Sequence, residues 1–456
     1  MNPLSLVYSL ELKDQEVIVA YGAGGKTSLL SCLAQELGQT RQQKVIFTTT
    51  TKILKPDNIP VVICSTLKKA LKELEQCLSK HNIVCLGNLL LADNKLKGVK
   101  TSWLEEIAGS GVAPYILVEA DGAARKPIKG FAPFEPVIPS NASLLLPVLG
   151  LDALGLNLDS KDVHRPELLG KITGALPGEK LNVSHINHYL GHTVKIGMEA
   201  VPRTPIIPVI NKMDLISNLN PIKKITGGMA GYPAVNRVLF TSLQETAPLK
   251  FILDPARRVP FVSCVILAAG CSKRMGKNKL ALKLKGKTIL EHTVNNALKS
   301  KVGEVIVVTR PTNGWVKNIF PEHIVKTVIN PLYRQGVSTS LKTGLTALHP
   351  LSQGVVFALG DQPFITTEVY NSLIENYASK MNLVTCPLFK EKRGNPVLFD
   401  RRTWPLLLNL KGDIGGRQIF AGLPKNEICN VETSCPGILQ DIDTAEDYQR
   451  ALFYPC

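Results

Sequence analysis

The sequence predicts an α/β fold in two domains, and three observations carry that reading. Apolar runs of strand length alternate with helix-length amphipathic stretches along the chain, as α/β units around a largely parallel sheet require. At 456 residues the chain is too long for one ordinary hydrophobic core. After "LDPARRVP", which contains Pro and Arg, a fresh strand opens at Phe261, so the boundary falls near Arg258 and the domains are 1–258 and 259–456.

In the first domain "EVIVA" runs into a glycine-rich turn and then the helical "TSLLSCLAQEL". Gly22, Gly24 and Gly25 let backbone N–H groups approach phosphate, Lys26 suits the β and γ oxygens, and Thr27 stands where Mg²⁺ would be held. The full G-x-x-x-x-G-K-[ST] pattern is incomplete because position 20 is Ala, but the shorter form from Gly22 to Thr27 stands. "KVIFTTTT" is a second strand. "YILVEADGA" resembles a Walker B strand and carries Glu119 and Asp121, with Asp121 the candidate metal ligand. "IIPVINKMD" ends in N-K-x-D, in which Asp214 would accept from a guanine ring; a polar turn after a strand is its ordinary explanation. His164 in "VHRPE" is either catalytic or a hydrogen-bonded loop residue.

The second domain repeats the alternation, with "FVSCVILAA", "EVIVVT", "HIVKTVI", "GVVFAL" and "LVTCPLF" as strands and "TILEHTVNNALKS" as a helix. Ligands of open α/β sheets bind beyond the carboxyl ends of strands, so the residues that follow each strand matter most. After the first of these strands Ala268, Ala269 and Gly270 leave room for an anion, and Arg274 and Lys279 supply a planar fork and a point charge. "VVFALGDQPF" delivers Asp361 to a strand end, where Mg²⁺ is the natural partner of a carboxylate. "LQDIDTAEDYQRAL" places Asp441 and Asp443 before a helix, as a second metal contact or as an N-cap.

Composition narrows the classes. Fifty-three Lys and Arg against 37 Asp and Glu give a net charge of +16, which favours anionic partners. Without a Lys/Arg block interleaved with aromatics, a nucleic-acid groove is not expected. The ten cysteines include no C-x-x-C pair, so zinc is not expected either. The N-terminus lacks the apolar core of a signal peptide, and the apolar stretch from Leu144 to Leu158 is interrupted by Pro147 and Asp152. These features predict a cytoplasmic protein with no membrane partner.

Taken together, the second-domain stretches resemble the molybdenum cofactor cytidylyltransferase family, of MobA type. The matching patterns are L-A-A-G-x-S-x-R-M-G-x-x-K from Leu267 to Lys279, G-D-Q-P from Gly360 to Pro363, and D-I-D-T-x-E-D from Asp441 to Asp447. The resemblance implies a Rossmann-like fold of the nucleotide-diphospho-sugar transferase type. It also implies transfer of CMP from CTP to the phosphate of the molybdenum cofactor, a phosphorylated pterin, with Mg²⁺ and release of pyrophosphate. Nucleotide binding then falls to Leu267, Ala268, Ala269 and Gly270, catalysis to Arg274, Lys279 and Asp361, and metal binding to Asp361 and Asp443. Ser338 and Ser340, in "NPLYRQGVSTSL", would contact base or ribose, or else cap a helix. Ala269 and Gln362 look like the cytidine type. Where the family carries G-H-P this chain has Gly394, Asn395 and Pro396, and Asn cannot carry a proton.

The first domain resembles the YqeC-like selenium-dependent hydroxylase accessory family through "GAGGKTSLL", "TTTTKI", "VEADGA", "EPVIP", "VHRPE" and "NKMD". That implies a P-loop-like α/β domain, ATP or GTP as its nucleotide, and a molybdenum hydroxylase apoenzyme as partner. Two competing readings stand beside this one: an NTP-driven chaperone or insertase that binds pterin dinucleotide without making it, and a transferase acting on a sugar or alditol phosphate.

Overall fold

A computed structural model describes residues 4–159, 161–216, 219–257, 259–270, 275 and 278–453. Arg274, the candidate catalytic arginine, lies outside the described residues, as does Arg258. The chain divides into two compact units between Ala256 and Arg257.

The first unit is built on a nine-stranded sheet. In chain order its strands are β1 (Glu16–Gly22), β2 (Val45–Thr49), β3 (Val61–Ile63), β4 (Ile83–Gly87), β5 (Tyr115–Glu119), β6 (Leu144–Gly150), β7 (Val209–Asn211), β8 (Val238–Thr241) and β9 (Leu249–Leu253). They lie in the order β9-β8-β7-β6-β1-β5-β2-β4-β3. Every pairing is parallel except β8 with the edge strand β9. Helices cover a parallel sheet on both faces, so its strands read as unbroken apolar runs rather than alternations. β1 obeys this: every residue from Glu16 to Gly22 is buried. The chain leaves β1 for β2 on one side while β6 pairs on the other, so the crevice for a ligand opens at the end of β1.

Beyond the four strands that the sequence reading names in this unit, the structure adds β3, β4, β6, β8 and β9 and a flap. After β2 the chain enters a three-stranded antiparallel flap of Lys52–Leu54, Leu89–Leu90 and Lys95–Lys97. Its strands are two or three residues long, too short to leave a periodic signal. Among the described residues no helix is long and apolar enough to cross a membrane.

The second unit has an eight-stranded sheet made of β10 (Val262–Ala268), β11 (Glu304–Thr309), β12 (Lys326–Ile329), β13 (Gly354–Leu359), β14 (Val384–Phe389), β15 (Lys392–Arg393), β16 (Val397–Asp400) and β17 (Ile428–Glu432). The order is β12-β11-β10-β13-β16-β14-β15, with β17 on β14. The expectation of a largely parallel sheet holds for one half only: β16 runs antiparallel to both β13 and β14, and β15 to β14. A tight turn explains the reversal, since Lys390 and Glu391 both take positive φ, 47° and 63°, the backbone of a two-residue hairpin.

Two expected caps resolve differently from the sequence reading. The helix Ala445–Leu452 is capped by Thr444, in a capping box with Asp447, so neither Asp441 nor Asp443 is spent as an N-cap. Gly336 caps the helix Val337–Leu345, which places Ser338 and Ser340 inside it rather than before it.

Gly24 shows how tightly the first crevice is built. It sits at φ +81°, and a Cβ there would meet the backbone N of Gly150 at 2.0 Å. Gly109, in the helix Thr101–Ser110, has open space instead. Gly24→Ala is therefore expected to destabilise the first unit by about 2 kcal/mol or more, while Gly109→Ala stabilises it by roughly 0.5–1 kcal/mol. Urea unfolding of the two variants of the full chain checks both signs.

Candidate active sites at the carboxyl ends of the strands

In the first unit β1 ends in a turn from Gly22 to Gly25, and the helix Lys26–Gln35 begins with no side chain capping its N-terminus. Its first N–H groups thus face a cleft of about 1080 Å³, lined by Gly24, Gly25, Lys26, Thr27 and Ser28. Lys26 is tucked back. Its Nζ donates to the Gly22 carbonyl at 2.6 Å and lies 3.2 Å from Asp121 Oδ1.

Asp121 and Glu119 part company. Asp121 is wholly buried, accepts from the Gly22 N–H at 3.1 and 3.0 Å, and pairs with the equally buried Lys129 at 3.1 Å. Lys129 in turn pairs with Glu135 at 2.6 Å, and Glu135 with Arg165 at 2.6 Å. Asp121 does not line the cleft; Glu119 does, and it accepts from the Thr27 hydroxyl at 2.7 Å. The acid on the cleft wall beside Thr27 is therefore Glu119, and Asp121 holds the turn from beneath through the Gly22 N–H. Burial raises the Glu119 pKa above the ordinary carboxylate value, against the pull of Lys26 and Thr27.

Asn211 and Asp214 of N-K-x-D both line the cleft. Asn211 is structural: its amide donates to the Gly24 carbonyl at 3.0 Å while its carbonyl accepts from Thr241 and the Leu243 N–H. Asp214 is exposed, and among the described residues its backbone N–H donates to Ser242 Oγ at 3.1 Å. His164 is not on the cleft wall, and its pKa is lowered by burial and by Arg165 and Lys129. Sequence reasoning missed Lys52 and Lys95 of the flap and Arg125 and Lys126 of the loop after β5, which add positive charge to this cleft. Basic residues on short strands and loops carry no pattern that marks them.

In the second unit a cleft of about 1090 Å³ opens at the ends of β10 and β13. Leu267, Ala269, Gly270, Lys279, Ser340, Asp361 and Asp443 line it, whereas Ala268 and Ser338 do not. Ala268 is core, and the Ser338 hydroxyl donates to the Gly412 carbonyl at 2.7 Å. The Ile442 N–H donates to the Asp361 carbonyl at 3.1 Å, which draws the 441–443 segment to the end of β13. Lys279 Nζ sits between the two acids, 2.5 Å from Asp361 Oδ2 and 2.6 Å from Asp443 Oδ1. Burial alone would lower the Lys279 pKa, but the two carboxylates overcome it and raise the value. Asp361 Oδ1 is buried without a hydrogen-bond partner among the described residues. Arg310, Tyr333, Arg334 and Asp413 complete the wall, and Arg310 anchors the loop through the Gly270 carbonyl at 3.1 Å.

Comparison with known proteins assigns each half. A family model described as "YqeC protein" matches residues 18–167, and one described as "MobA-like NTP transferase domain" matches residues 264–428. The chain is 30% identical over 194 residues to the Escherichia coli (strain K12) protein YqeC, spanning 42% of this chain and 74% of that one. It is 29% identical over 204 residues to the purine catabolism protein PucB of Bacillus subtilis (strain 168), covering 42% and 96%. To the molybdenum cofactor cytidylyltransferase of Escherichia coli (strain K12) it is 27% identical over 191 residues, covering 42% and 95%.

The raised Glu119 pKa has a thermodynamic sign. The native state holds that proton more tightly than the unfolded chain, so stability falls as pH rises from the ordinary carboxylate range through the raised value. Glu119→Gln removes the buried charge. Its Tm should exceed that of the parent at about pH 8, and the gap should close near about pH 4, where both forms are neutral. Thermal melts at the two pH values check this.

Proposed function

Because the chain belongs to the YqeC family through its first unit and carries a MobA-like NTP transferase domain in its second, we propose a bifunctional protein of molybdenum cofactor maturation. The second unit transfers CMP from CTP to the terminal phosphate of the cofactor, giving the cytosine dinucleotide and pyrophosphate. The first binds and hydrolyses ATP or GTP in the service of a molybdenum hydroxylase apoenzyme. A client acting on a purine is in keeping with the likeness to a purine catabolism protein. Tethering the units raises the effective concentration of a scarce intermediate at the second step.

One observation carries the transferase reading: Lys279 held between Asp361 and Asp443, with the second oxygen of Asp361 left unpartnered. Two carboxylates and an orphaned oxygen fit a divalent cation that completes its shell with phosphate and water, and Asp361 and Asp443 would hold it. When bound, Mg²⁺ supplies neutralising charge at the phosphate oxygens. The chain's own part is to position. Backbone N–H groups at Ala269 and Gly270 receive the triphosphate, and Lys279 turns from the carboxylates to its oxygens. A phosphate oxygen of the acceptor then bonds to the α-phosphorus as the bond to the bridging oxygen breaks, and pyrophosphate leaves. Ala269 and Gln362 support CTP as the nucleotide. In the first unit the N–H groups at the head of the helix Lys26–Gln35, with Lys26 and Thr27, support a P-loop-like phosphate site, and an exposed Asp214 on the cleft wall supports a contact with the base.

The test is an assay of the full chain with molybdenum-loaded pterin, Mg²⁺ and CTP, GTP or ATP in turn. Dinucleotide with CTP alone is expected. Product with GTP alone overturns the base assignment, and product with none overturns the reading. Asp361→Asn should lower transfer by about 10²-fold or more with the melting temperature kept, whereas Lys26→Ala should leave transfer intact and abolish nucleotide binding in the first unit.

A further inference from the structure

Beyond the nucleotide cleft the second unit holds a pair of arginines that, among the described residues, have no carboxylate in contact. Arg393, in β15, donates through Nε to Asn430 Oδ1 at 2.8 Å and lies over the Phe420 ring, 5.8 Å from its centroid. Arg417 donates through one terminal nitrogen to Asn395 Oδ1 at 3.0 Å. Among the described residues neither guanidinium has another hydrogen bond or any carboxylate partner, so both are fixed by neutral amides and keep most of their N–H groups unspent. The Cys386 thiol donates to the same Asn430 oxygen at 3.3 Å. Although Arg417 as a whole is exposed, desolvation at its guanidinium lowers its pKa and the charge of Arg393 adds to that, against the pull of Cys386 and Asp441. Two cations brought together with no carboxylate in contact among the described residues repel each other, and a doubly charged phosphate that takes two bidentate arginine contacts relieves this repulsion.

The position fits an acceptor. Asp441, within electrostatic reach of Arg417, accepts from the Gln362 amide, and Gln362 follows Asp361 in the chain. On its other side the segment that carries Arg417 begins at Gly412, packed so closely on Gly336 that a Cβ on Gly336 would meet the Gly412 carbonyl carbon at 2.2 Å. Asp413 follows, accepting from the Val337 N–H at 3.1 Å and lining the nucleotide cleft. One short segment therefore touches the nucleotide site at Asp413 and the arginine pair at Arg417.

We propose that Arg393 and Arg417 form the subsite for the phosphomonoester of the acceptor, which they hold beside the nucleotide cleft on the Asp441 side of Asp361. The assignment rests on the transferase reading for the identity of the acceptor. Arg393→Ala and Arg417→Ala should each raise the KM for the phosphorylated pterin roughly 10- to 100-fold while leaving the KM for CTP and the melting temperature unchanged. Arg417→Lys, which keeps the charge but loses the fork, should fall between. Binding of metal-free phosphorylated pterin, and of its dephosphorylated form, to the full chain separates the two claims. Dependence on the phosphate that is lost in both alanine variants supports the subsite even if no nucleotide is transferred. Equal binding by parent and variants, or an unchanged acceptor KM in a chain that makes dinucleotide, overturns it.

Discussion

A carboxylate delivered to the end of a buried strand is costly to leave dry and unpaired, and in each unit a lysine near the neighbouring small-residue loop resolves that cost. In the first, Lys26 meets Asp121 beneath the Gly22–Gly25 turn. In the second, Lys279 meets Asp361 at the end of β13. Much of the local arrangement follows from these pairs. In the first unit the turn runs close to the acid because lysine and carboxylate must touch, and its residues are small because the backbone of a neighbouring strand lies against them, as Gly150 does at Gly24. The same closeness is what lets bare N–H groups face an anion.

The two units differ in how much of the charge stays accessible. Asp121 is locked by the Gly22 N–H, Lys26 and a second buried lysine, Lys129, whose own excess charge passes to Glu135 and then to Arg165 nearer the surface. Such an alternating chain leaves Asp121 fully buried and paired, whereas Glu119 reaches the cleft wall. In the second unit Asp361 keeps an unpartnered oxygen, and Asp443 stands beside it because Thr444, not an aspartate, takes the helix cap.

Much of this was legible in the residues. Long apolar runs such as β1 and β10 announce themselves, and so do the loops that follow them, because strand, small residues and lysine come in one contiguous stretch. Asp361 was readable for the same reason. What escaped was whatever depends on distant segments meeting. Nothing local says that Glu119 rather than Asp121 faces the cleft, since the two are separated by one residue and only the fold around Lys129 decides between them. The antiparallel return of β16 was hidden too: a two-residue turn built from Lys390 and Glu391 lacks the glycine or asparagine that usually marks one. Arg393 and Arg417 belong to separate segments, and only the fold brings both into the neighbourhood of Cys386.

The seat of Lys279 between two carboxylates bears on the order of assembly. Among these three groups the ammonium leaves one net negative charge where two bare acids would present two, so under the proposed transferase reading a solitary divalent ion has a cation to displace. A nucleotide that arrives with its ion brings the oxygens that can take the lysine over, and the exchange then conserves charge pairing throughout. Under the proposed transferase reading, loading as a preformed nucleotide–ion complex is the consequence.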